Sequence, residues 1–472
     1  MRNALHTTAA LAIGAMLAAA PLAPGHASAQ AVFAETDRTV EAEVRFDAAE
    51  ARAPIVAGDE VRISGSGFRP GQAVLLNYGT KPLTAQPLVA DAEGAIAGSF
   101  TLPEDASVGI HPVVVIAQEP YVATIAELKI SPDIPLSGES RYDITRALPA
   151  RGLYQSALSA RNGAIFTTSA IGRPPVRQSQ ITKLDAQTLD VLARATPAAA
   201  PARPGRDGTM RDGGVFAVYG LDVDDSKDTV WVTNTRQDTV AVYRQSDLAL
   251  VKQFDPGTVY HARDVRVHEG LGKAYVSATF TPEVVVFDTA ANEEAGRISI
   301  PSGKRREEFG TASLSLDEAA NRLYVAGLGT AEVAVIDTAS DEVLDVFPVP
   351  GARSVIGVSH DPQTGRIFVA AQGSDNLVIL DGESGEVIAD TPVGAGALNV
   401  VFDPVTRHAY VASRGAGTIT VTDANGAIVA NLGPAPLANH VSLGLDGTIY
   451  AVDKSAGARE ADADQLLRIR PR

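Results

Sequence analysis

The residues best suited to chemistry in this chain are basic, and they fall in the segments between apolar runs. Arg194, Arg203, Arg206 and Arg211 share one Ala/Pro/Gly-rich stretch, and Lys304-Arg305-Arg306 form a second cluster, offset by Glu307 and Glu308. Arg173, Arg177, Arg236, Arg353 and Arg414 stand singly, His261 and Arg263 form a close pair, and Asn439, His440 and Lys454 gather near the C-terminus. Convergent guanidinium groups hold carboxylate or phosphate through paired N–H···O bonds. The set therefore predicts an anionic ligand, bound by Arg173, Arg236, His261, Arg263, Arg353, Arg414, Asn399, His440 and Lys454. The competing reading is that arginines in long loops are simply solvated.

Catalysis has weaker support. His261 with Arg263 is the one candidate pair for a general base and an electrophilic stabiliser, and the same spacing suits a binding pair. There is no Gly-x-Ser-x-Gly elbow followed by partners and no Walker motif. No His-x-x-x-His or His-Glu-x-x-His pair occurs among the eight histidines. With no cysteines, thiolate and Cys–zinc chemistry are excluded. No attachment signal for haem or quinone is visible, so no cofactor and no metal are expected. A calcium site made of scattered oxygen ligands would leave no spacing signature.

The elements that must position these residues repeat. Phe166, Trp231, Tyr275, Tyr324, Phe368, Tyr410 and Tyr450 each centre a short apolar strand, at spacings of 65, 44, 49, 44, 42 and 40 residues. A repeat of roughly 40–50 residues built only of strands predicts a β-propeller, because a four-stranded blade has two apolar faces that only radial packing covers. The long first spacing reflects residues 194–216, which fit a surface loop rather than an extra strand. The last copy stops one strand short at Arg472, and Tyr142–Ala147 lies outside the first blade; this segment is expected to supply the missing outer strand and close the ring. The expected inner-strand column is Gln155, Gly220, Asp264, Ser313, Gly357, Asn399 and Ser442. Small polar residues suit a crowded centre, with Gln155, Asp264 and Asn399 able to reach a channel ligand. Asp224, Asp317, Asp361, Asp403 and Asp446 fall at the turns after the inner strands, and Asp288, Asp337, Asp381 and Asp423 end the third strands; both columns read as turn caps.

The strings VWVTN, AYVSA, LYVAG and AYVAS, with VVVFDT, VAVIDT and ITVTDA after them, resemble the YVTN repeats of the YncE-like propeller family from about residue 141 to 472. The resemblance implies seven blades and an exported, periplasmic protein; DNA binding has been attributed to part of that family. Tyr154, Tyr219, Tyr260 and Phe309 sit in or beside the relevant loops, which makes single-stranded DNA a conceivable partner. The formal charge of −16 opposes it. A lactonase-like hydrolase at the channel mouth is the alternative function, and a structural cell-envelope role the third.

Upstream, residues 39–131 alternate in short strands broken by Gly and Pro. The string GSGFRPG at 65–71 gives them the look of a bacterial immunoglobulin-like β-sandwich. Residues 132–140 read as a linker. Residues 1–29 read as a signal peptide: Arg2, an apolar run from Ala9 to Ala20, then Ala27-Ser28-Ala29. That run is shorter than the roughly 20 residues a membrane span needs, so no membrane insertion is expected after cleavage. The expectation is thus an all-β, two-domain, exported monomer, periplasmic or at the cell surface. It would bind an anionic small molecule or polymer, or a cell-envelope protein.

Overall fold

The computed structural model describes residues 41–205, 207–454 and 463–472. The expected signal peptide and Arg206 lie outside the described residues. Regular structure is strand almost throughout, apart from the 3-10 turns Glu139–Arg141 and Thr235–Gln237. Among the described residues no helix is long and apolar enough to cross a membrane.

The first unit comprises two antiparallel sheets. One joins Glu43–Ala48, Glu60–Ser66 and Ile96–Thr101; the other is built on Ala73–Tyr78, Gly109–Ala117 and Val122–Ile130. Strand alternation explains their pairing: along Glu60–Ser66, Val61 and Ile63 are buried while Glu60, Arg62 and Ser64 are exposed. Val61, Ile63, Val74, Leu76, Val113 and Val115 meet in one core between the sheets.

Among the described residues seven four-stranded antiparallel sheets follow. The first runs through Leu153–Ser159, Ala164–Ile171, Gln178–Asp185 and Val191–Ala195; the others begin at Leu221, Ala262, Thr311, Val355, Ala397 and His440. The last sheet takes Tyr142–Ala147 as its fourth strand, with Leu466 opposite Ala147 and Pro471 opposite Tyr142. This is the position the sequence predicts for that segment. Each first strand packs beside the first strand of the next sheet, and His440–Leu443 packs beside Leu153–Ser159, so the first strands form a closed, propeller-like ring around a channel.

The repeated aromatic fills the space between sheets. Trp231 is fully buried against Phe254 and Phe287 of the same inter-sheet cluster, and Phe368 stacks on Phe402 of the next sheet at 4.6 Å. The turn aspartates behave as caps. Asp224, Asp317, Asp361 and Asp403, and likewise Asp288, Asp337, Asp381 and Asp423, accept backbone N–H bonds from two or three residues ahead at 2.7–3.1 Å. Asp446 instead occupies the left-handed region itself, at φ 53°.

One expectation is corrected. The 194–216 stretch is not wholly loop: Arg194 lies in the strand Val191–Ala195, and Arg203–Pro204 pairs with Met210–Arg211 as a short hairpin. The 132–140 segment lies against the ring. Ser137 bridges Asn431, and Asn431 Nδ2 donates to the Ile134 carbonyl at 2.8 Å.

The first unit is fastened to the ring. Asp375, buried and at φ 57°, accepts from Lys129 Nζ at 2.8 Å and Ser131 Oγ at 2.7 Å, while Arg353 clasps Glu127 at 2.6 and 2.7 Å.

Candidate functional site: a cationic channel mouth

Neighbouring first strands carry no backbone ladder to one another, so their channel-side N–H groups need other acceptors. Side chains from the preceding strand provide them. Leu221 N–H donates to Gln155 Oε1 (3.1 Å), Val267 to Asp222 Oδ2 (2.8 Å) and Leu314 to Asp264 Oδ2 (2.9 Å). Phe402 donates to Ser359 Oγ (2.9 Å) and Val441 to Asn399 Oδ1 (2.9 Å). His440 Nδ1 faces the Ser156 N–H at 3.5 Å and links back to the first sheet. Polar side chains of the inner strands thus bridge six of the seven sheet boundaries, and the side-chain oxygens of Gln155, Asp264 and Asn399 help hold the wall together.

In every sheet the loops joining strands two and three, and those leading to the next sheet, lie at one end; call it the upper end. Here the channel opens into a chamber of about 260 Å³. His261, Arg263, Asn399, Arg414 and His440 line it, together with Tyr154, Tyr219 and Asn439, and its described lining holds no Asp or Glu. Tyr154 and Tyr219 meet edge to face at 4.4 Å. Lys454 Nζ sits 3.6 Å from the centre of the Tyr154 ring, and Arg236 Nε donates to the Tyr219 hydroxyl at 3.3 Å. Arg414 donates to Asn439 Oδ1, and Asn439 Nδ2 to the Tyr154 carbonyl at 2.6 Å. Arg263 Nε is buried with no partner. Among the described residues none of Arg236, Arg263, Arg414 and Lys454 has a carboxylate at ion-pair distance.

Crowding of like charge shows in the titration of the group. Burial and then Arg414 push Lys454 down to about 7. Burial lowers Arg414 too; Tyr154 opposes this and Arg263 adds to it. His261 is lowered by burial and then by Arg236, and His440 is driven down to about 3 by burial and then Arg266. His440 is therefore neutral. Its Nδ1 accepts from Ser156, which puts the proton on Nε2, an atom buried without a partner.

As a catalytic pair His261 and Arg263 are poorly supported. The carboxylate nearest in role, Asp238, accepts the His261 backbone N–H at 2.8 Å rather than orienting its ring, which lies against Phe280 at 5.1 Å.

The structure does not gather all the expected residues. Arg173 is exposed and away from the chamber lining. Arg353 is engaged with Glu127. Within the basic insertion, Arg177 pairs with Asp212 and Arg211 with Asp207, Arg194 bonds the Pro149 carbonyl, and Arg203 bonds the Arg236 carbonyl.

The lower end is different in kind. A second chamber of about 450 Å³ is lined by Asp222, Arg266, Asp317, Glu318 and His360. Arg266 lies 3.5 Å from Asp264, and His360 lies 2.9 Å from Ser315 Oγ and 3.7 Å from Asp317. Burial raises Asp222 to about 6. Sequence reasoning missed Arg266. Its signal was a charge inside the alternating inner strand ARDVRVH, where a solvent-facing residue is not expected.

No family model and no curated protein matches the chain. Solved structures do. Hydrazine synthase of Kuenenia stuttgartiensis aligns with TM-score 0.51 and 17% identity over 65% of this chain and 93% of that one. Virginiamycin B lyase from Staphylococcus aureus aligns with TM-score 0.51 and 12% identity over 70% and 99%. U3-55K aligns with TM-score 0.55 and 12% identity over 70% and 98%. At these identities the likeness concerns fold alone: the chain is an all-β, propeller-like repeat protein.

Proposed function

We propose that the chain is an exported binding protein: a seven-bladed, YncE-like propeller carrying an immunoglobulin-like domain, which takes an anionic ligand at the upper channel mouth. One observation carries the reading. Arg263 and Arg414 line a chamber whose described lining holds no Asp or Glu, Arg236 and Lys454 reach its tyrosines, and among the described residues none of the four has a carboxylate at ion-pair distance. Partly buried cations held together without counter-charge are costly, and an anion with several acceptor oxygens relieves that cost while filling the vacant N–H directions. The lyase and the synthase among the structural neighbours do not move the reading toward catalysis, because the residues that would orient a base are otherwise engaged.

Isothermal titration with inorganic phosphate, sulfate and citrate at low ionic strength tests this. The expected result is saturable binding that weakens at least tenfold in Arg263→Gln/Arg414→Gln, the loss of one or two charge-assisted bonds at roughly 1.5–3 kcal/mol each. Absence of binding to every anion, or equal binding by the double variant, overturns it.

A further inference from the structure

Arg414 and Gln372 line the upper chamber and also a second, larger cavity of about 820 Å³ between the first unit and the ring. The two spaces therefore share a wall at the cationic mouth. Across the larger cavity the first unit offers Phe46, Ala48, Ala53, Ile55 and Ala97, and the ring offers Leu437. Its charges are few and mixed. Asp47, Arg52 and Arg62 line it, with Glu127 and Lys129 already engaged by Arg353 and Asp375. The contacts of Asp375 with Lys129 and Ser131 tie the two walls of the cleft together.

We infer that the ligand is an elongated, amphiphilic anion whose charged head sits among Arg263, Arg414 and Lys454 and whose uncharged, apolar body lies in the cleft beneath the first unit. This rests on the anion-binding reading of the mouth and extends it to the ligand's other end. A polyanion fits less well, because Lys129 is committed to Asp375, Arg62 bonds the Ala49 carbonyl, and Asp47 lines the cleft along with Arg52. The first unit is then half of the binding site, and its role is to select for the body of the ligand.

Inorganic phosphate, phenyl phosphate and biphenyl-4-yl phosphate, titrated into the full chain, separate the two claims. Affinity should rise at least tenfold from phosphate to the biphenyl ester. Ala97→Trp, at an exposed strand position facing the cleft, should abolish that gain and leave phosphate binding unchanged. If phosphate binds and the esters bind no tighter, or if Ala97→Trp keeps the full gain, this inference falls while the cationic mouth stands. If none of the three binds, both fall. Arg414→Gln should weaken all three together.

Discussion

On the lower face Arg407 meets Asp361 through both guanidinium nitrogens, Arg266 lies 3.5 Å from Asp264, Lys227 3.4 Å from Asp224 and Lys273 2.7 Å from Asp341. At the upper mouth Arg236, Arg414 and Lys454 have hydroxyl, amide and ring partners, Arg263 Nε is buried without one, and among the described residues none of the four has a carboxylate at ion-pair distance. The same two residue types thus do two jobs. Below, Asp361 and Asp341 meet cations of a neighbouring sheet while Asp224 and Asp264 meet cations of their own, and the charge is consumed within the fold. Above, the cations that face the chamber have no carboxylate at ion-pair distance among the described residues, and their charge is left for a ligand. Paired ions mark folding, and unpaired convergent ions mark binding.

Removing one member of each group probes that contrast most severely. Asp361 is fully buried and accepts from Arg407, from the Thr364 hydroxyl and from the Gln363 N–H at 3.0 Å. Asp361→Ala should destabilise the protein by about 3 kcal/mol, the scale for breaking a buried pair and leaving its partner uncompensated, read as a shift of the urea midpoint. Arg263→Gln/Arg414→Gln should leave that midpoint unmoved or slightly raised, because it relieves repulsion. A comparable loss in both variants would erase the distinction between the two ends.

A smaller effect comes from pH. Folded Lys454 releases its proton near pH 7, against an ordinary 10.5 for the unfolded chain. Between those values the unfolded chain holds the extra proton, so this residue's contribution to stability rises with pH across the window. Anion binding runs the other way: the charged form is the one that binds, and it is lost as pH rises through 7. Affinity for phosphate analogues of fixed charge, such as sulfate, should fall about tenfold between pH 6 and 8, the worth of roughly one charge-assisted contact. Lys454→Met should flatten the profile. A profile unchanged by that substitution would remove Lys454 from the site.

Much of the architecture was legible because it follows from period. The aromatics at 40–65-residue spacing, the turn aspartates and the unpaired segment Tyr142–Ala147 each follow from a local rule that the whole fold repeats. The site was legible in part. His261, Arg263, Asn399 and His440 line one chamber because inner strands and their leading loops must converge on the axis, and Arg414 joins them from the loop after His408–Ser413. Arg173 and Arg353 were misplaced because the radial position of a loop tip depends on its path and on contacts far along the chain; the Arg353 partner, Glu127, is 226 residues away. The bridging roles of Gln155 and Asp264 were hidden for a related reason. Polarity shows in a sequence, but its acceptor or donor across a sheet boundary does not.

Arg353 supplies the finest discrimination between the two kinds of cation. It belongs by sequence to the upper loops, yet by contact it behaves like the lower-face cations, paired at 2.6 and 2.7 Å with both carboxylate oxygens of Glu127. Both side chains are about half exposed, 53% and 54%, so solvent screens the pair and its contribution should be under ~1 kcal/mol. Arg353→Ala should therefore lower the urea midpoint far less than Asp361→Ala and leave phosphate affinity within about twofold, since the lost contact lies outside the chamber. Should Arg353→Ala instead weaken phosphate as much as Arg414→Gln does, pairing with a carboxylate would no longer separate structural from ligand-binding arginines at this end of the channel. The site would then have to extend across the Glu127 contact.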